Sequence, residues 1–332
     1  MSKVILVTGG LGFIGSNLVE SLLNNSDLKI INFDKVTYAA NKEFSAKFNS
    51  YENYKFIQAD ICNEKVTKEI FHEYDPDIVF HLAAESHVDN SIENPSVFLK
   101  TNIIGTYNLL ISSLDICKSR EDKDFLFHHI STDEVYGDLS LEQSSFTETS
   151  RYDPSSPYSA SKASSDHLVR AWNRTYQLPT IITNCSNNYG PNQNREKLIP
   201  KTILNALSNE RIPIYGSGEQ IRDWLFVEDH VEALKKIAMS GIKQGTFNIG
   251  GDNQTSNINI VKTICKILDD IKPSDSMNSY IDLIEFVEDR PGHDIRYAID
   301  SSKTKEYFDW QPKTQLKDGL IKTVDWYLTN LL

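Results

Sequence analysis

The chain has 332 residues, 39% of them hydrophobic, so it is long enough to bury a large core and to form two domains. Its 46 acidic residues outnumber its 34 lysines and arginines, and the resulting net charge of -12 argues against a basic surface that binds nucleic acid. The N-terminal apolar run is too short for a signal peptide, and no run reaches the roughly eighteen apolar residues of a membrane span, so we expect a cytoplasmic protein without membrane contact.

Strand-like apolar runs alternate with helix-length segments through the first half of the chain. Residues 3–8 form the first run, and leucines at helical spacing follow it, Leu18, Leu22 and Leu23. Pro95 opens a further helical segment that extends to Lys118. Other strand-like runs cover residues 29–34, 54–60, 78–84, 125–131 and 180–186. This alternation predicts an α/β fold with a Rossmann-like, doubly wound parallel sheet.

The composition changes near residue 187, where segments rich in Asn, Pro and Gly replace the regular alternation. We therefore expect a Rossmann-like domain over residues 1–186 and a smaller C-terminal domain over residues 187–332. Segments after residue 222 can return to the first domain. No internal repeat or low-complexity tract is present.

Glycines separate the first predicted strand from the first predicted helix. Thr8, Gly9, Gly12 and Gly15 spell TGxxGxxG, a pattern in which glycine permits a tight turn and close approach of the backbone to a pyrophosphate. Asp34 lies nineteen residues after Gly15, at the end of the next strand, where a carboxylate can accept hydrogen bonds from an adenosine ribose. The combination predicts a nucleotide cofactor rather than a purely structural turn.

Three charged residues bear on which cofactor binds. Asp34 repels a 2'-phosphate and favours NAD over NADP, whereas Lys35 weakens that preference slightly. Asp60 ends the third predicted strand and is either a contact to the adenine or a solvated acid. We expect NAD.

A tyrosine and a lysine four residues apart share one face of a helix, where the ammonium can stabilise a phenolate and make the tyrosine a usable base. Three such pairs occur, Tyr38/Lys42, Tyr51/Lys55 and Tyr158/Lys162. The third pair is favoured because it alone begins a long helical segment. The alternative for Tyr158 is an exposed ring at a capped helix start.

Two adjacent carboxylates, Asp133 and Glu134, follow the strand-like run at residues 125–131. Close carboxylates disfavour double ionisation, so one can stay protonated as an acid while its neighbour acts as a base. Ligands of open α/β sheets bind at the carboxyl ends of the strands, so both acids are expected in an active site. A solvated loop or a helix cap is the alternative.

The cysteines and histidines predict no metal site. The four cysteines form no CxxC pair, which suits thiols in a reducing compartment: Cys62, Cys117, Cys185 and Cys265. Four histidines match no ligand spacing and are interpreted as structural: His81, His87, His128 and His129.

Six motifs together resemble the nucleotide-sugar 4,6-dehydratases, a family of extended short-chain dehydrogenases. They are TGGLGFIG, DKVTY, HLAAESHVD, STDEVYG, YSASK and SNNYGP. The resemblance continues through EKLIP, PIYGSGEQIRDWLFVEDH and RPGHDIRYAID and covers nearly the whole chain. The STDEVYG motif, which contains the two adjacent acids, resembles the dehydratases in particular.

The resemblance implies a dTDP- or UDP-glucose substrate that loses water to give a 4-keto-6-deoxy sugar nucleotide. Tyr158, aided by Lys162 and Thr132, would remove the 4-hydroxyl proton while NAD takes the C4 hydride. Glu134 would then take the C5 proton, and Asp133 would protonate the departing 6-hydroxyl. The hydride returns to C6, so NAD is regenerated and should remain bound.

The resemblance also assigns binding residues. Those for NAD are Gly9, Gly12, Phe13, Ile14, Gly15, Asp34, Lys35, Thr37, Asp60, Ile61, Leu82, Ala83, Ala84, Ser86, Thr101, Tyr158, Lys162 and Asn188. Those for the sugar nucleotide are Ser86, Thr132, Asn187, Lys197, Leu198, Pro213, Ile214, Tyr215, Arg222, Asn257, Arg290 and His293. The cations suit a diphosphate, and the tyrosine ring suits a pyrimidine. A homodimer through the helices at 95–118 and 158–177 is expected, as in similar proteins.

Three positions depart from the family pattern beside the expected nucleotide pocket: Asn90, Asn192 and Arg195. They leave open whether the base is thymine or uracil. A 4-epimerase of the same superfamily would keep the glycine loop and the Tyr158/Lys162 pair but has no use for Asp133 and Glu134. A non-catalytic NAD-binding scaffold would be expected to lack some catalytic residues, and this chain retains them.

Overall fold

A computed structural model describes residues 2–120 and 124–330. Residues 331 and 332, the last of the predicted second domain, lie outside the described residues. The strands are β1 (Lys3–Thr8), β2 (Leu28–Asp34), β3 (Tyr54–Gln58), β4 (Ile78–His81), β5 (Leu126–Thr132), β6 (Thr180–Cys185), β7 (Asn187–Tyr189), β8 (Ile212–Tyr215), β9 (Ile221–Phe226), β10 (Gln244–Ile249), β11 (Gln254–Ser256) and β12 (Ile284–Val287).

The α-helices are α1 (Phe13–Leu23), α2 (Lys42–Phe48), α3 (Glu64–Tyr74), α4 (Val88–Glu93), α5 (Pro95–Phe98), α6 (Thr106–Ser119), α7 (Pro157–Tyr176), α8 (Leu198–Leu207), α9 (Val227–Met239), α10 (Asn257–Ile271), α11 (Ser302–Phe308) and α12 (Leu316–Asn330). Within the described ranges, no helix has the length and apolar character needed to cross a bilayer.

Seven strands form one parallel sheet in the order β10-β6-β5-β4-β1-β2-β3. The order reverses at β1, which pairs with β2 on one side and with β4 on the other. A crevice forms at the carboxyl ends of the strands at such a switch point, and ligands bind there. The predicted Rossmann-like, doubly wound sheet is confirmed.

Apolar side chains cover both faces of this sheet. Ile5 and Leu6 are consecutive in β1 and point into different hydrophobic clusters. The first cluster includes Leu18 of α1 and Leu234 of α9, and the second includes Leu109 of α6. Burying each such side chain stabilises the fold by about 1.5–3 kcal/mol. The packed helices therefore hold the ends of the strands, and the site at those ends, in fixed positions.

A separate core lies in the C-terminal part, where Ile203 of α8, Ile264 of α10 and Val324 of α12 are buried together. Two small sheets, β11-β9-β7 and β12-β8, adjoin it. In contrast, β10 belongs to the large sheet and α9 packs in its core. The domain boundary at residues 186 and 187 stays a prediction.

The predicted helix from Pro95 to Lys118 is present but not uniform. A π-helical segment, Leu99–Gly105, joins α5 to α6. Within it, Asn102 Nδ2 donates to the Glu85 carbonyl oxygen at 3.0 Å, and Asn102 Oδ1 accepts from the Glu85 amide at 2.9 Å. The segment is thus tied to the loop after β4, and π-helical turns often lie at functional sites.

Candidate active site

The glycine loop joins β1 to α1. Gly9 has a φ of +71°, in the left-handed region that favours glycine, and a Cβ on Gly15 would lie 2.1 Å from the Gly9 carbonyl oxygen. A Cβ on Gly12 would meet that same oxygen at 3.3 Å and otherwise extend into open space. The loop therefore leaves the N-terminus of α1 accessible to a phosphate.

Asp34 ends β2 beside this loop and is buried. Its Oδ2 accepts a hydrogen bond from the Leu11 amide at 2.9 Å, and its Oδ1 accepts one from the Val36 amide at 2.7 Å. Burial raises the pKa of Asp34, and these two hydrogen bonds oppose that rise. The carboxylate therefore stabilises the glycine loop while it lines the adjoining cavity.

Lys35 is paired with an acid. Its Nζ lies 2.7 Å from Oδ2 of Asp60, and this hydrogen bond raises the pKa of Lys35. An ammonium engaged in this way is less available to a 2'-phosphate. Because of this pairing, Lys35 does not weaken the preference for NAD over NADP.

Two adjoining cavities begin at the glycine loop. They share Gly9, Gly12, Thr37, Leu82 and Ala84 in their walls. All residues predicted to bind the cofactor line one cavity or both, the others being Phe13, Ile14, Gly15, Asp34, Lys35, Asp60, Ile61, Ala83, Ser86, Thr101, Tyr158, Lys162 and Asn188. The open space at Gly12 and the carboxylate of Asp34 fit a dinucleotide. The contact of each residue with the cofactor stays a prediction.

The start of α7 is held by a capping box. The Ser156 hydroxyl accepts from the Ser159 amide, and the Ser159 hydroxyl accepts from the Ser156 amide, each at 3.0 Å. Tyr158 in this first turn is buried, so the alternative of an exposed ring does not hold. Lys162 lies one turn later, and its Nζ donates to the Ile130 carbonyl oxygen of β5 at 2.9 Å.

The surroundings of Tyr158 favour the neutral phenol. Burial raises the pKa of Tyr158 well above its ordinary value, Glu134 raises it further, and a hydrogen bond with Thr132 opposes the rise. Burial also lowers the pKa of Lys162, against the influence of Asp166. The stabilisation of a phenolate by Lys162, expected from the sequence, is therefore outweighed by burial in this structure.

Asp133 follows β5 in a 3-10 turn, Asp133–Tyr136. Its side chain is 2% exposed, and no described residue makes a hydrogen bond with its Oδ2. Burial, then Glu134 and Asp223, raise the pKa of Asp133 well above its ordinary value. A carboxyl group whose pKa is raised in this way holds its proton more readily and is suited to donate it.

Glu134 is less buried than Asp133 and faces basic side chains. The pKa of Glu134 is raised by burial, and Arg290 and then Lys197 oppose that rise without reversing it. The two adjacent acids therefore lie in different electrostatic surroundings. Asp133 is suited to act as an acid, and Glu134 is suited to act as a base.

A third cavity adjoins the acid pair, and Glu134 lines it. Predicted substrate residues line it as well: Ser86, Asn187, Lys197, Leu198, Pro213, Ile214, Tyr215, Arg222, Asn257, Arg290 and His293. Thr132 lines the neighbouring cavity with Tyr158. The structure thus brings the predicted catalytic, cofactor and substrate residues to three adjoining cavities, and their roles stay predictions.

The third cavity has a basic wall. Arg222 is buried, and its Nη2 donates to the Asp294 carbonyl oxygen at 2.9 Å. Lys197 Nζ donates to a backbone carbonyl oxygen at 2.9 Å. Arg290 Nη1 lies 3.1 Å from Oδ1 of Asp89, whereas its buried Nε has no hydrogen-bond partner among the described residues. Three cations, one with an unused donor, suit a diphosphate.

Several acids that line the cavities were not predicted from the sequence. Asp89 accepts a hydrogen bond from the Tyr215 hydroxyl at 3.1 Å and also pairs with Arg290, so it orders two predicted substrate residues. Glu85 and Glu196 line the second cavity. The HLAAESHVD motif contains Asp89 and could have indicated it, whereas no spacing pattern marks Glu196.

The three departures from the family pattern lie around the cavities. Asn90 Nδ2 donates to the Tyr38 hydroxyl at 3.1 Å, and that hydroxyl is 3.4 Å from Oε1 of Glu196. Asn192 has a φ of +71°, and Arg195 is exposed. These positions leave the choice between thymine and uracil open.

The buried histidines are neutral structural groups. Burial lowers the pKa of His128 to about 3 and that of His129 to about 4. No cluster of three or more His, Cys, Asp or Glu side chains that could hold a metal ion occurs within residues 2–120 and 124–330.

Comparison with known proteins identifies relatives along the whole chain. A family model described as GDP-mannose 4,6 dehydratase matches residues 6–323. A dTDP-glucose 4,6-dehydratase of Escherichia coli is 54% identical, covering 98% of this chain and 94% of that protein. A crystal structure of the Bacillus anthracis dTDP-glucose 4,6-dehydratase with NAD has a TM-score of 0.86 at 41% identity, covering 99% of this chain and 97% of that one. The dTDP-glucose 4,6-dehydratase of Streptomyces venezuelae, also with NAD bound, has a TM-score of 0.88 at 37% identity, covering 98% and 97%.

Proposed function

The chain belongs to the dTDP-glucose 4,6-dehydratases within the GDP-mannose 4,6-dehydratase family, and we propose that it converts dTDP-glucose into a 4-keto-6-deoxy sugar nucleotide and water. The observation that carries this function is the pair Asp133 and Glu134, which lines a cavity with Tyr158 beside a basic cleft. Loss of water requires one group that takes a proton from carbon and another that protonates the departing oxygen. The pair supplies both.

The cofactor is NAD. The glycines of the loop after β1 would receive its pyrophosphate at the N-terminus of α1, and Asp34 would accept a hydrogen bond from the adenosine ribose. The chemistry that the bound cofactor would supply is reversible hydride transfer, from C4 of the sugar and back to C6, without net consumption. The Lys35–Asp60 pair keeps a free cation away from the ribose and favours NAD over NADP.

Tyr158 removes the proton of the sugar 4-hydroxyl. Thr132 hydrogen-bonds the phenol, and Lys162 lines the same cavity, where its ammonium offsets the negative charge that forms on Tyr158. The burial that raises the pKa of Tyr158 makes this support necessary. Oxidation at C4 then makes the proton on C5 acidic.

Glu134 takes the C5 proton, and Asp133 donates a proton to the 6-hydroxyl, which leaves as water. The assignment follows from the surroundings of the two acids. Arg290 and Lys197 oppose the rise that burial causes in the pKa of Glu134, whereas burial and neighbouring acids raise the pKa of Asp133 well above its ordinary value. A proton returns to C5 when the hydride returns to C6.

The basic cleft holds the sugar nucleotide. Arg222, Lys197 and Arg290 bind the diphosphate, and the Tyr215 ring packs on the base beside Pro213. Tyr215 is held by its hydrogen bond to Asp89. Thymine is the proposed base, and UDP-glucose is the competing substrate to be tested.

The protein is proposed to form a homodimer. Apolar side chains are exposed along the helical region of α5 to α7: Val97, Leu99, Ile104, Tyr107 and Tyr176. Leu99 and Ile104 are 48% and 50% exposed, and an apolar patch of this kind marks an interaction surface. Two copies of the chain that associate through this region would bury its exposed apolar side chains.

The proposed location is the cytoplasm. Cys62, Cys185 and Cys265 are thiols rather than disulfides, which suits a reducing compartment.

A 4-epimerase is the less supported function. It would return the hydride to C4 and leave Asp133 and Glu134 without a chemical role. Product NMR after separate incubations with dTDP-glucose and UDP-glucose tests the choice. A 4-keto-6-deoxy product supports the dehydratase, and the faster nucleotide identifies the base. A galactose product would support the epimerase, and unchanged glucose from both would support a scaffold.

A further inference from the structure

Asp166 continues the row that Tyr158 and Lys162 begin on α7. Each residue follows the previous one by four positions, so the three share one face of the helix. Asp166 has 0% exposure, and charged groups are rarely buried so fully without partners. The mechanism described above does not use it.

The Asp166 carboxylate joins α7 to two strands of the large sheet. Its Oδ2 accepts hydrogen bonds from the Ser131 hydroxyl at 3.0 Å and from the Tyr152 hydroxyl at 2.8 Å. Asn184 Nδ2 of β6 lies 3.4 Å from this oxygen and also donates to the Thr132 carbonyl oxygen at 3.1 Å. Asp166 thus supports the end of β5, directly before the acid pair.

These contacts favour the ionised form of Asp166. Burial raises its pKa, but the pKa is lowered overall by hydrogen bonds from His129 and Ser131 and by the charge of Lys162. Nε2 of His129 lies 3.1 Å from Oδ1 of Asp166. Asp166 therefore carries a negative charge one helical turn from the Lys162 ammonium.

Among the described residues of the sheet, three neutral titratable groups interact with Lys162. These are His81 on β4, His129 on β5 and Cys185 on β6. Burial lowers the pKa of His81 and His129 and raises that of Cys185 to about 12, so none is charged at pH 7. On its own helix Lys162 has the neutral phenol of Tyr158 before it and Asp166 after it. Among the described residues that influence Lys162, Asp166 supplies the countercharge.

We propose that Asp166 is a positioning residue for the oxidation step: its carboxylate keeps buried Lys162 as an ammonium and fixes the end of β5 that bears Thr132. This inference rests on the proposed function. Asp166 is not among the described residues that line the three cavities. It acts through Lys162, and thereby supports the base role of Tyr158.

Three variants test the proposal. Asp166→Asn removes the charge and keeps the shape, Asp166→Glu keeps the charge, and Tyr152→Phe removes one hydrogen bond to Asp166 but leaves its charge. The first step is followed by the absorbance of reduced nicotinamide after mixing the holoenzyme with dTDP-glucose, from pH 6 to about pH 10.

Asp166→Asn should slow this step about tenfold or more at neutral pH. A lost countercharge disfavours the ammonium, so Lys162 loses its proton at lower pH and the alkaline fall in rate moves down by about one pH unit or more. In Asp166→Glu the alkaline fall should occur at the same pH as in wild type, because the charge is kept. Tyr152→Phe should also leave that pH unchanged. If the rate of Asp166→Asn is lower by the same factor at every pH, and the alkaline fall occurs at the same pH as in wild type, Asp166 is only a structural residue. That result would overturn the proposal.

The charge of Lys162 is also measured without catalysis. Carbon NMR of wild-type protein with labelled lysines measures it, and the Lys162 signal is assigned by its loss in Lys162→Arg. Lys162 should be protonated at pH 7. A neutral amine would overturn the proposal even if Asp166→Asn does not fold. Wild-type protein that does not dehydrate dTDP-glucose would contradict the proposed function instead, while this titration would still test the countercharge.

Discussion

Asp133 and Glu134 are adjacent in the chain but differ in the charges that act on them. Burial raises the pKa of both; Glu134 and Asp223 add to the rise at Asp133, whereas the cations Arg290 and Lys197 oppose the rise at Glu134. Both acids line the second cavity, and Glu134 also lines the third, basic cavity. The proposed division into an acid and a base rests on this difference.

Glu134→Gln should separate oxidation from loss of water. The variant keeps Tyr158 and the cofactor cavity, so mixing it with dTDP-glucose should still reduce bound NAD. Removal of the C5 proton should slow by about 10²- to 10⁴-fold, because the base is gone. Stopped-flow absorbance of reduced nicotinamide, combined with product analysis, measures both steps. Dehydration at the wild-type rate would refute the role of Glu134.

Tyr158→Phe should block the earlier step. Without the phenol no group takes the 4-hydroxyl proton, so reduction of NAD should slow by about 10²- to 10⁴-fold. The matched control is Tyr51→Phe, which alters a tyrosine with the same four-residue spacing to a lysine but located in the turn before β3. The control should keep the wild-type rate, and equal losses in both variants would contradict the assignment.

The sequence predicts those site residues that lie together within a short segment of the chain. Local spacing and the alternation of strands and helices predict three parts of the site. These are the loop at Gly9, the carboxylate of Asp34 at the end of β2, and the pair Tyr158/Lys162 on α7. Such patterns depend on neighbours within a few turns of the chain. They therefore predict the parallel sheet and the edge at which the site lies.

Contacts between distant segments could not be predicted in this way. Asp89 and Arg290 are paired although 201 residues separate them. The raised pKa of Tyr158 depends on burial beneath other elements, which spacing does not report. The π-helical turn within the helix after Pro95 is accompanied by a hydrogen bond between Asn102 and the loop after β4, which local spacing does not report.

Asp34→Asn should weaken discrimination against NADP. The substitution removes a negative charge beside the ribose site, so the ratio of NADP to NAD affinity should rise by about tenfold, equivalent to about 1.4 kcal/mol. Titration of cofactor-free protein with each nucleotide measures the ratio. Asp27→Asn, on an exposed turn before β2, removes the same charge far from the cavity and should leave the ratio unchanged.

Leu99→Glu should dissociate the proposed homodimer. A charge introduced into the exposed apolar surface of α5 to α7 would have to be buried between two copies, at a cost of several kcal/mol. Sedimentation velocity measures the mass in solution. Leu141→Glu is the control, because Leu141 is 62% exposed on a loop outside that surface. A wild-type protein that sediments as a monomer would contradict the dimer.

Acidification should destabilise the fold through its buried histidines. His128 has a pKa of about 3 in the folded protein and an ordinary value of 6.5, so below pH 6.5 protons bind the unfolded chain preferentially and the free energy of unfolding falls. At pH 5 this amounts to about 2 kcal/mol from His128. Urea denaturation at pH 7 and pH 5 should show a smaller decrease for His128→Gln than for wild type. His72→Gln, at an exposed position of α3, should behave as wild type.

The most direct test follows the C4 hydrogen. dTDP-glucose deuterated at C4 is incubated with the holoenzyme in ordinary water, and the product is examined by NMR. Dehydration through Tyr158, Glu134 and Asp133 predicts a 4-keto-6-deoxy product in which the deuterium lies on C6. A sugar that retains its 6-hydroxyl and carries the deuterium on C4, with galactose configuration, would contradict the dehydratase and leave the two acids without their proposed roles.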